Sequence, residues 1–270
     1  MVDNPPSKPI VLLSDFGVSD PYVGVMKCAI LSISPDATLI DLTHDVGPQG
    51  VAEARFILQS ALPFLPKGSV VCAVVDPEVG GHRHALAIQT TDHSFVGPDN
   101  GLFTAVIQWQ PTANAVVIEA FENQGAQECQ TYQWRDVFGP AAGWLAQGQT
   151  LQSLGRPIPI QDLICLSSES SSVSLEGNTV IGGILYVDSF GNLVTSITPT
   201  HLRKSEHVLT IDGQPGLIPI RSHYAAVPVK TPVAYVGSYG FLEVAIRNGS
   251  AAAHYKLTKG TAVKVRMSPA

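Results

Sequence analysis

Residues 69–77 read Ser69-Val70-Val71-Cys72-Ala73-Val74-Val75-Asp76-Pro77. Seven uncharged residues rich in β-branched valine, closed by an acid and a proline, predict a strand buried on both faces, the usual state of a strand inside a parallel sheet. Toward the N-terminus, residues 38–42 and 10–14 predict two more strands. Between the strands lie two helical patterns. Residues 21–33 carry Val25, Ala29 and Ile33 at helical spacing behind Asp20 as the expected N-cap, and residues 49–62 form the second helix. The resulting β-α-β-α-β order implies a mostly parallel sheet flanked by helices. Further along, residues 85–90, 93–97 and 115–119 predict strands, and 136–147 a helix.

The texture changes between residues 150 and 172. Gly155-Arg156-Pro157-Ile158-Pro159 and a serine-rich run from Ser167 to Ser172 are expected to form a linker. Beyond it the helical period disappears. Short runs at 179–187, 193–197, 233–236 and 262–265 are separated by Gly, Pro, Asn and Asp, as in a small all-β barrel or sandwich. The expected domains are an α/β domain over 8–165 and an all-β domain over 173–270.

Composition narrows the function. The chain has 270 residues, 45% of them hydrophobic and only 14% charged, against about 25% charged in an average soluble protein; the mean hydropathy is +0.19. Disorder and coiled coil are excluded. The net charge is −6 and the basic residues are scattered, so the electrostatic footprint of a nucleic-acid binder is missing. The four cysteines show neither CxxC pairing nor metal-ligand spacing with histidines, and Cys28 and Cys72, in apolar stretches, are expected to be buried thiols. With no basic-then-apolar leader pattern and no apolar run of about 18 residues, no membrane association is expected, and the cytoplasm is the expected location.

In parallel α/β sheets ligands bind beyond the carboxyl ends of the strands. Here those ends carry Ser14-Asp15-Phe16-Gly17, Asp41-Leu42-Thr43-His44-Asp45 and Asp76-Pro77, so carboxylates converge on one rim. There is no Gly-x-Gly-x-x-Gly, P-loop lysine, His-Glu-x-x-His or Gly-x-Ser-x-Gly pattern. Dinucleotide, phosphate-loop, zinc-protease and serine-hydrolase readings therefore drop out. A carboxylate such as Asp15 has the acceptors to hold a ribose diol, and Asp20 is suited to an ammonium. The residues alone point to a small-molecule site and leave the molecule open.

A set of motifs is more specific. Ser14-Asp15-Phe16-Gly17 with Asp20-Pro21-Tyr22-Val23-Gly24 is followed by Val75-Asp76-Pro77-Glu78-Val79-Gly80 with Arg83, and by Gly97-Pro98-Asp99-Asn100-Gly101. Then come Arg135-Asp136-Val137-Phe138 with Pro140-Ala141-Ala142, and Asp188-Ser189-Phe190-Gly191-Asn192. In this order they resemble the S-adenosyl-L-methionine hydroxide adenosyltransferase family, related to the fluorinating and chlorinating adenosyltransferases, over residues 10 to 255. The resemblance implies a C-terminal β-barrel and a homotrimer with active sites between the N-terminal domain of one subunit and the C-terminal domain of the next. It also implies hydrolysis of S-adenosyl-L-methionine, the substrate, to adenosine and L-methionine, with neither cofactor nor metal. On the matching positions, Asp15 would hold the ribose diol and Asp20 the methionine ammonium. Phe190, Asn192, Ser238, Glu243 and Asn248 would border the adenine. Asp76 and Arg83 match two members of the family's water-activating Asp-Arg-His set, and Phe16, Tyr132 and Trp134 would line the pocket.

The third member of that set departs. The family's histidine falls at Gln133, and the small residue expected next is Trp134. Glutamine forms hydrogen bonds but takes no proton near neutral pH; His82 and His84, beside Arg83, are alternative bases. The departure keeps two other functions in view, a non-catalytic binder of S-adenosylmethionine or adenosine and a halide adenosyltransferase. A metal-dependent nucleotidase is a further alternative, but the downstream motifs fit it poorly.

Overall fold

The structure is a computed structural model that describes residues 7–110, 113–121, 131–167, 173–202 and 207–267. It divides into two compact units between Leu166 and Ser167.

The first unit contains β1 (Ile10–Ser14), α1 (Tyr22–Ile33), β2 (Leu39–Thr43), α2 (Val51–Ala61), β3 (Val70–Val74), β4 (Ala85–Gln89) and β5 (Ser94–Pro98). It continues with α3 (Thr104–Trp109), β6 (Asn114–Ile118), α4 (Gly139–Ala146) and β7 (Gly155–Ile158). The seven strands form one sheet in the order β2-β1-β3-β5-β4-β6-β7. Alternation along the central strands explains the two covered faces. Ile10, Leu12, Cys72 and Val74 meet Met26, Ile30 and Phe138 on one side, while Val11, Leu13, Val71 and Ala73 meet Ala54, Leu58 and Val106 on the other.

The sheet is mixed. β2, β1, β3 and β5 pair in parallel, whereas β4 pairs antiparallel with both β5 and β6, and β6 antiparallel with β7. Five strands thus run one way and β4 and β7 run the other. The cause is local: only residues 90–93 join β4 to β5, enough for a hairpin but far too few for a parallel crossover.

Three expectations change. The stretch expected to begin a linker at residue 150 is instead an ordered edge of this sheet, with a 3₁₀ turn at Leu151–Leu154 leading into β7; Pro157 is tolerated because β7 is an edge strand. Asp20 does not cap α1: the N-cap is Pro21, without a side-chain cap bond, and Asp20 is exposed. Cys72 is buried as expected but Cys28 is exposed, because on α1 it lies about 200° around from the buried Met26 and Ile30 faces. Cys129 lies outside the described residues.

The second unit holds β8 (Ser174–Glu176), β9 (Thr179–Val187), β10 (Leu193–Thr195), β11 (His207–Ile211), β12 (Ile218–Pro219), β13 (Pro232–Val236), β14 (Leu242–Ile246), α5 (Ala251–Tyr255) and β15 (Ala262–Met267). Seven strands follow the path β12-β11-β15-β9-β10-β14-β13, with β8 on β9, and every ladder is antiparallel. Ile220, just past β12, bridges Ala234 of β13, so the path nearly closes into a barrel. Val180, Ile184, Leu193, Leu209, Val244 and Val265 fill its interior. The unit is not wholly β, since α5 is capped by Ser250, whose Oγ accepts the Ala253 N–H at 3.1 Å.

Candidate active site

The first unit carries a cavity of about 240 Å³ lined by Asp15, Phe16, Tyr22, Val74, Asp76, Val79, Thr131, Tyr132, Trp134 and Phe138. Asp15 and Asp76 follow β1 and β3, neighbouring parallel strands, so their convergence comes directly from sheet order. The Val75 carbonyl, next to Asp76, accepts the Asn100 side-chain N–H at 2.8 Å. Gly97 permits the underlying packing: a Cβ there would lie 2.2 Å from the Ala73 carbonyl oxygen.

Behind the cavity wall, Arg83 meets Asp76 in a two-pronged contact. Nε donates to Oδ1 at 3.1 Å and Nη2 donates to Oδ2. Nη2 also donates to Gln133 Oε1 at 2.5 Å, and the guanidinium carbon stands 5.6 Å from the Phe138 ring centroid. The two charged side chains are 2% and 6% exposed. Burial of an acid and a base is tolerable only with this bidentate matching. The structure therefore brings together Asp76, Arg83 and Gln133. Among the described residues no hydrogen bond joins His82 or His84 to the group.

Gln133 and Trp134 arrive on a π-helical turn, Trp134–Phe138, that runs into α4. Pro140 follows at the start of α4, where its missing N–H is tolerated. The Gly139 N–H bonds five residues back to the Trp134 carbonyl, which is the spacing of a π turn. The expected helix start at 136 misses this turn, which rotates the buried indole into the cavity wall. Trp134 stands edge-to-face with Phe16, Tyr22 and Tyr132 at 5.6, 5.8 and 6.2 Å. Tyr22, part of the Asp20-Pro21-Tyr22-Val23-Gly24 motif but without an expected role, joins the pocket from the first turn of α1. Asp20 is not among the cavity residues.

The second unit has its own cavity, about 610 Å³, lined by Asp188, Phe190, Asn192, Tyr224, Tyr235, Ser238, Tyr239, Glu243, Asn248 and Gly249. All five adenine-side residues named from the sequence line it. Three tyrosines also line it: Tyr224 and Tyr235 lie on separate elements without a shared motif, while Tyr239 falls within the Ser238-Tyr239-Gly240-Phe241-Leu242-Glu243 region without a role of its own expected there. Asp188 holds the turn, its Oδ1 accepting the Phe190 and Asn192 N–H groups at 2.9 and 2.8 Å. Glu243 is 4% exposed. Its Oε1 is buried without a hydrogen-bond partner among the described residues, directly over Gly237, where a Cβ would lie 1.9 Å away. Burial, reinforced by the Asp188 charge and opposed by a Tyr235 hydrogen bond, raises its pKa to about 7.

Among the described residues no group of three or more His, Cys, Asp or Glu side chains is placed to hold a metal ion, and no helix is long and apolar enough to cross a membrane.

These features define a two-domain protein with small-molecule cavities in an α/β unit and a barrel-like unit. The chain belongs to the SAM hydroxide adenosyltransferase family: the family's N-terminal domain matches residues 10–155 and its C-terminal domain residues 182–264. An (R)-S-adenosyl-L-methionine hydrolase of Thermus thermophilus is 37% identical over 96% of this chain and 99% of its own length. One from Salinispora tropica is 31% identical over 96% and 98%. A fluorinase of Actinopolyspora mzabensis is 28% identical over 97% and 98%. A solved structure, an uncharacterized conserved protein from Thermotoga maritima, superposes with a TM-score of 0.88 at 30% identity, covering 95% of this chain and 99% of that one.

Proposed function

We propose that the protein hydrolyses S-adenosyl-L-methionine to adenosine and L-methionine by attack of water or hydroxide on the ribose 5′-carbon. The observation that carries this reading is the buried Asp76–Arg83 pair, with Asp76 facing the cavity that also presents Asp15. A sulfonium makes its neighbouring carbon electrophilic and leaves as a neutral thioether, so no acid is needed for the leaving group. The enzyme must align water with the departing sulfur, and such positioning can supply about 7–11 kcal/mol.

In this reading Asp76 orients the attacking water and Arg83 offsets the charge of developing hydroxide. Gln133 holds Arg83 and positions without taking a proton; the proton released by water leaves to solvent. Asp15 takes the ribose hydroxyls. Asp20 takes the methionine ammonium at a subsite completed by another protomer. Phe190, Asn192, Ser238, Glu243 and Asn248 of a neighbouring subunit border the adenine, making each site a joint product of two chains in a homotrimer. The chemistry calls for neither cofactor nor metal.

Purified protein incubated with S-adenosylmethionine is expected to release adenosine and methionine in equal amounts. No turnover above background after prolonged incubation overturns the proposal. A second reading, binding without catalysis, is favoured by Gln133 in the place of a titratable base; calorimetry that shows tight binding of an unchanged ligand would select it. Halide transfer is disfavoured because the Asp76 carboxylate would repel the nucleophile.

A further inference from the structure

The turn that carries Asp15 is bonded on both sides of it to a residue that does not line the cavity. His44 is buried, just past the end of β2, and grips the 14–17 turn at both ends. Its Nδ1 meets Ser14 Oγ at 2.7 Å, and its backbone carbonyl accepts the Gly17 N–H at 2.8 Å. On the ring's other side, Nε2 lies 3.1 Å from Asp41 Oδ1, while Lys27 Nζ holds Asp41 Oδ2 at 2.7 Å.

Lys27 and His44 converge on Asp41 from opposite sides, both as hydrogen-bond donors. Asp41 remains an acceptor: burial raises its pKa, but hydrogen bonds from Lys27 and His44 outweigh that and hold it below the usual range. The His44 Nε2–H therefore points at Asp41, and in the neutral ring that leaves Nδ1 to accept the Ser14 hydroxyl proton. Ser14 Oγ in turn takes the Phe16 N–H at 3.4 Å. From the same β2–α2 connection, the Gln49 N–H reaches Asp15 Oδ2 at 2.9 Å. Gln49 adopts a left-handed backbone, φ 62°, a conformation kept only where surrounding contacts over-determine it.

We infer that His44 is a positioning residue: the Lys27–Asp41–His44–Ser14 chain fixes the 14–17 turn and so aims Asp15 at the ribose hydroxyls. This rests on the reading of Asp15 as the ribose anchor. The same imidazole would be idle as a base, since both of its nitrogens are engaged away from the cavity.

The test compares equilibrium binding of adenosine with that of 2′,3′-dideoxyadenosine. Two hydroxyls on a carboxylate are expected to give the wild type a preference of about tenfold or more for adenosine, and Asp15→Ala should abolish it. In His44→Ala and Ser14→Ala the preference should fall toward one, with affinity for the dideoxy analogue nearly unchanged. Asp41→Asn, half-exposed and isosteric, keeps the fold and should lower the preference partway. A full preference in folded His44 and Asp41 variants, with both ligands weakened equally, overturns the inference and leaves the ribose anchor standing. A wild type indifferent to the hydroxyls, or an Asp15→Ala variant that keeps the preference, overturns the anchor and the inference together.

Discussion

Asp76 in the α/β unit and Glu243 in the barrel-like unit are both buried carboxyls facing a cavity, and they solve the cost of burial in opposite ways. Asp76 is met by two guanidinium N–H groups. Glu243 has no cation among its named neighbours; it sits near another acid, Asp188, and its pKa rises to about 7. One site keeps a fixed charge, suited to holding a nucleophile in place. The other carries a proton that comes off near neutrality, suited to a polar ligand edge.

The largest effect that sharpens this contrast comes from breaking the pair. Arg83→Met leaves Asp76 buried without a counter-charge, and should cost about 3–5 kcal/mol in urea unfolding, with much of it regained in Asp76→Leu/Arg83→Met. The rate of adenosine formation should fall about 10²–10³-fold in either single variant, Arg83→Met or Asp76→Asn. A stability loss under 1 kcal/mol would mean the pair does not bear the burial cost assigned to it.

The next test asks whether the two cavities belong to one site contributed by two chains. Asp76→Asn damages only the first cavity and Phe190→Ala only the second. Each variant alone should be nearly inactive, while refolded equimolar mixtures should recover about a quarter of wild-type activity, the fraction of sites that pair two intact halves across a cyclic interface. Additive residual activity without recovery would place both halves on one chain.

Gln133 gives a smaller, more local effect. Gln133→Leu strands an Arg83 N–H and should cost about 1–3 kcal/mol. Gln133→His places a titratable imidazole against Arg83 and should add to the rate profile an ionisation, shifted below the free-histidine range by the guanidinium, that wild type does not owe to this position.

That substitution marks what could be read in the chain. The Val-rich run at 70–75 and the alternation of Ile10, Leu12, Val11 and Leu13 announce a sheet covered on both faces, because buried strands leave that pattern wherever they occur. The acids at 15 and 76 follow from strand ends. The reversed direction of β4 was hidden, because periodicity describes a strand's faces and not its partner. The π turn at 134 was hidden as well, because a single widened turn leaves no periodic signature. The grip of His44 on Ser14 joins residues 30 apart in sequence, and no local pattern reports that.

For the barrel-like unit the expected effect is on pH dependence. A folded pKa raised from 4.5 to about 7 means that the native state binds the proton more tightly than the unfolded chain. The Glu243 contribution is therefore fully present below about pH 4.5, declines between 4.5 and 7, and is lost above. Glu243→Gln should flatten that decline, so variant and wild-type stability curves diverge as pH rises through the window. Parallel curves would show that Glu243 ionises in the folded protein as it does in the unfolded one.

The smallest effect isolates burial from charge. Lys264 and Asp212 form an ion pair of similar chemistry at 3.1 Å, but the side chains are 41% and 60% exposed. Water already solvates both partners, so removing one strands nothing. Lys264→Met should change unfolding stability by no more than about 0.5 kcal/mol, and 0.5 M salt should erase even that. The same measurement on Arg83→Met should be nearly insensitive to salt, because ions do not enter a contact whose side chains are 2% and 6% exposed. If both variants lost equal stability, or responded equally to salt, burial would not be what separates the fixed charge at Asp76 from an ordinary surface pair.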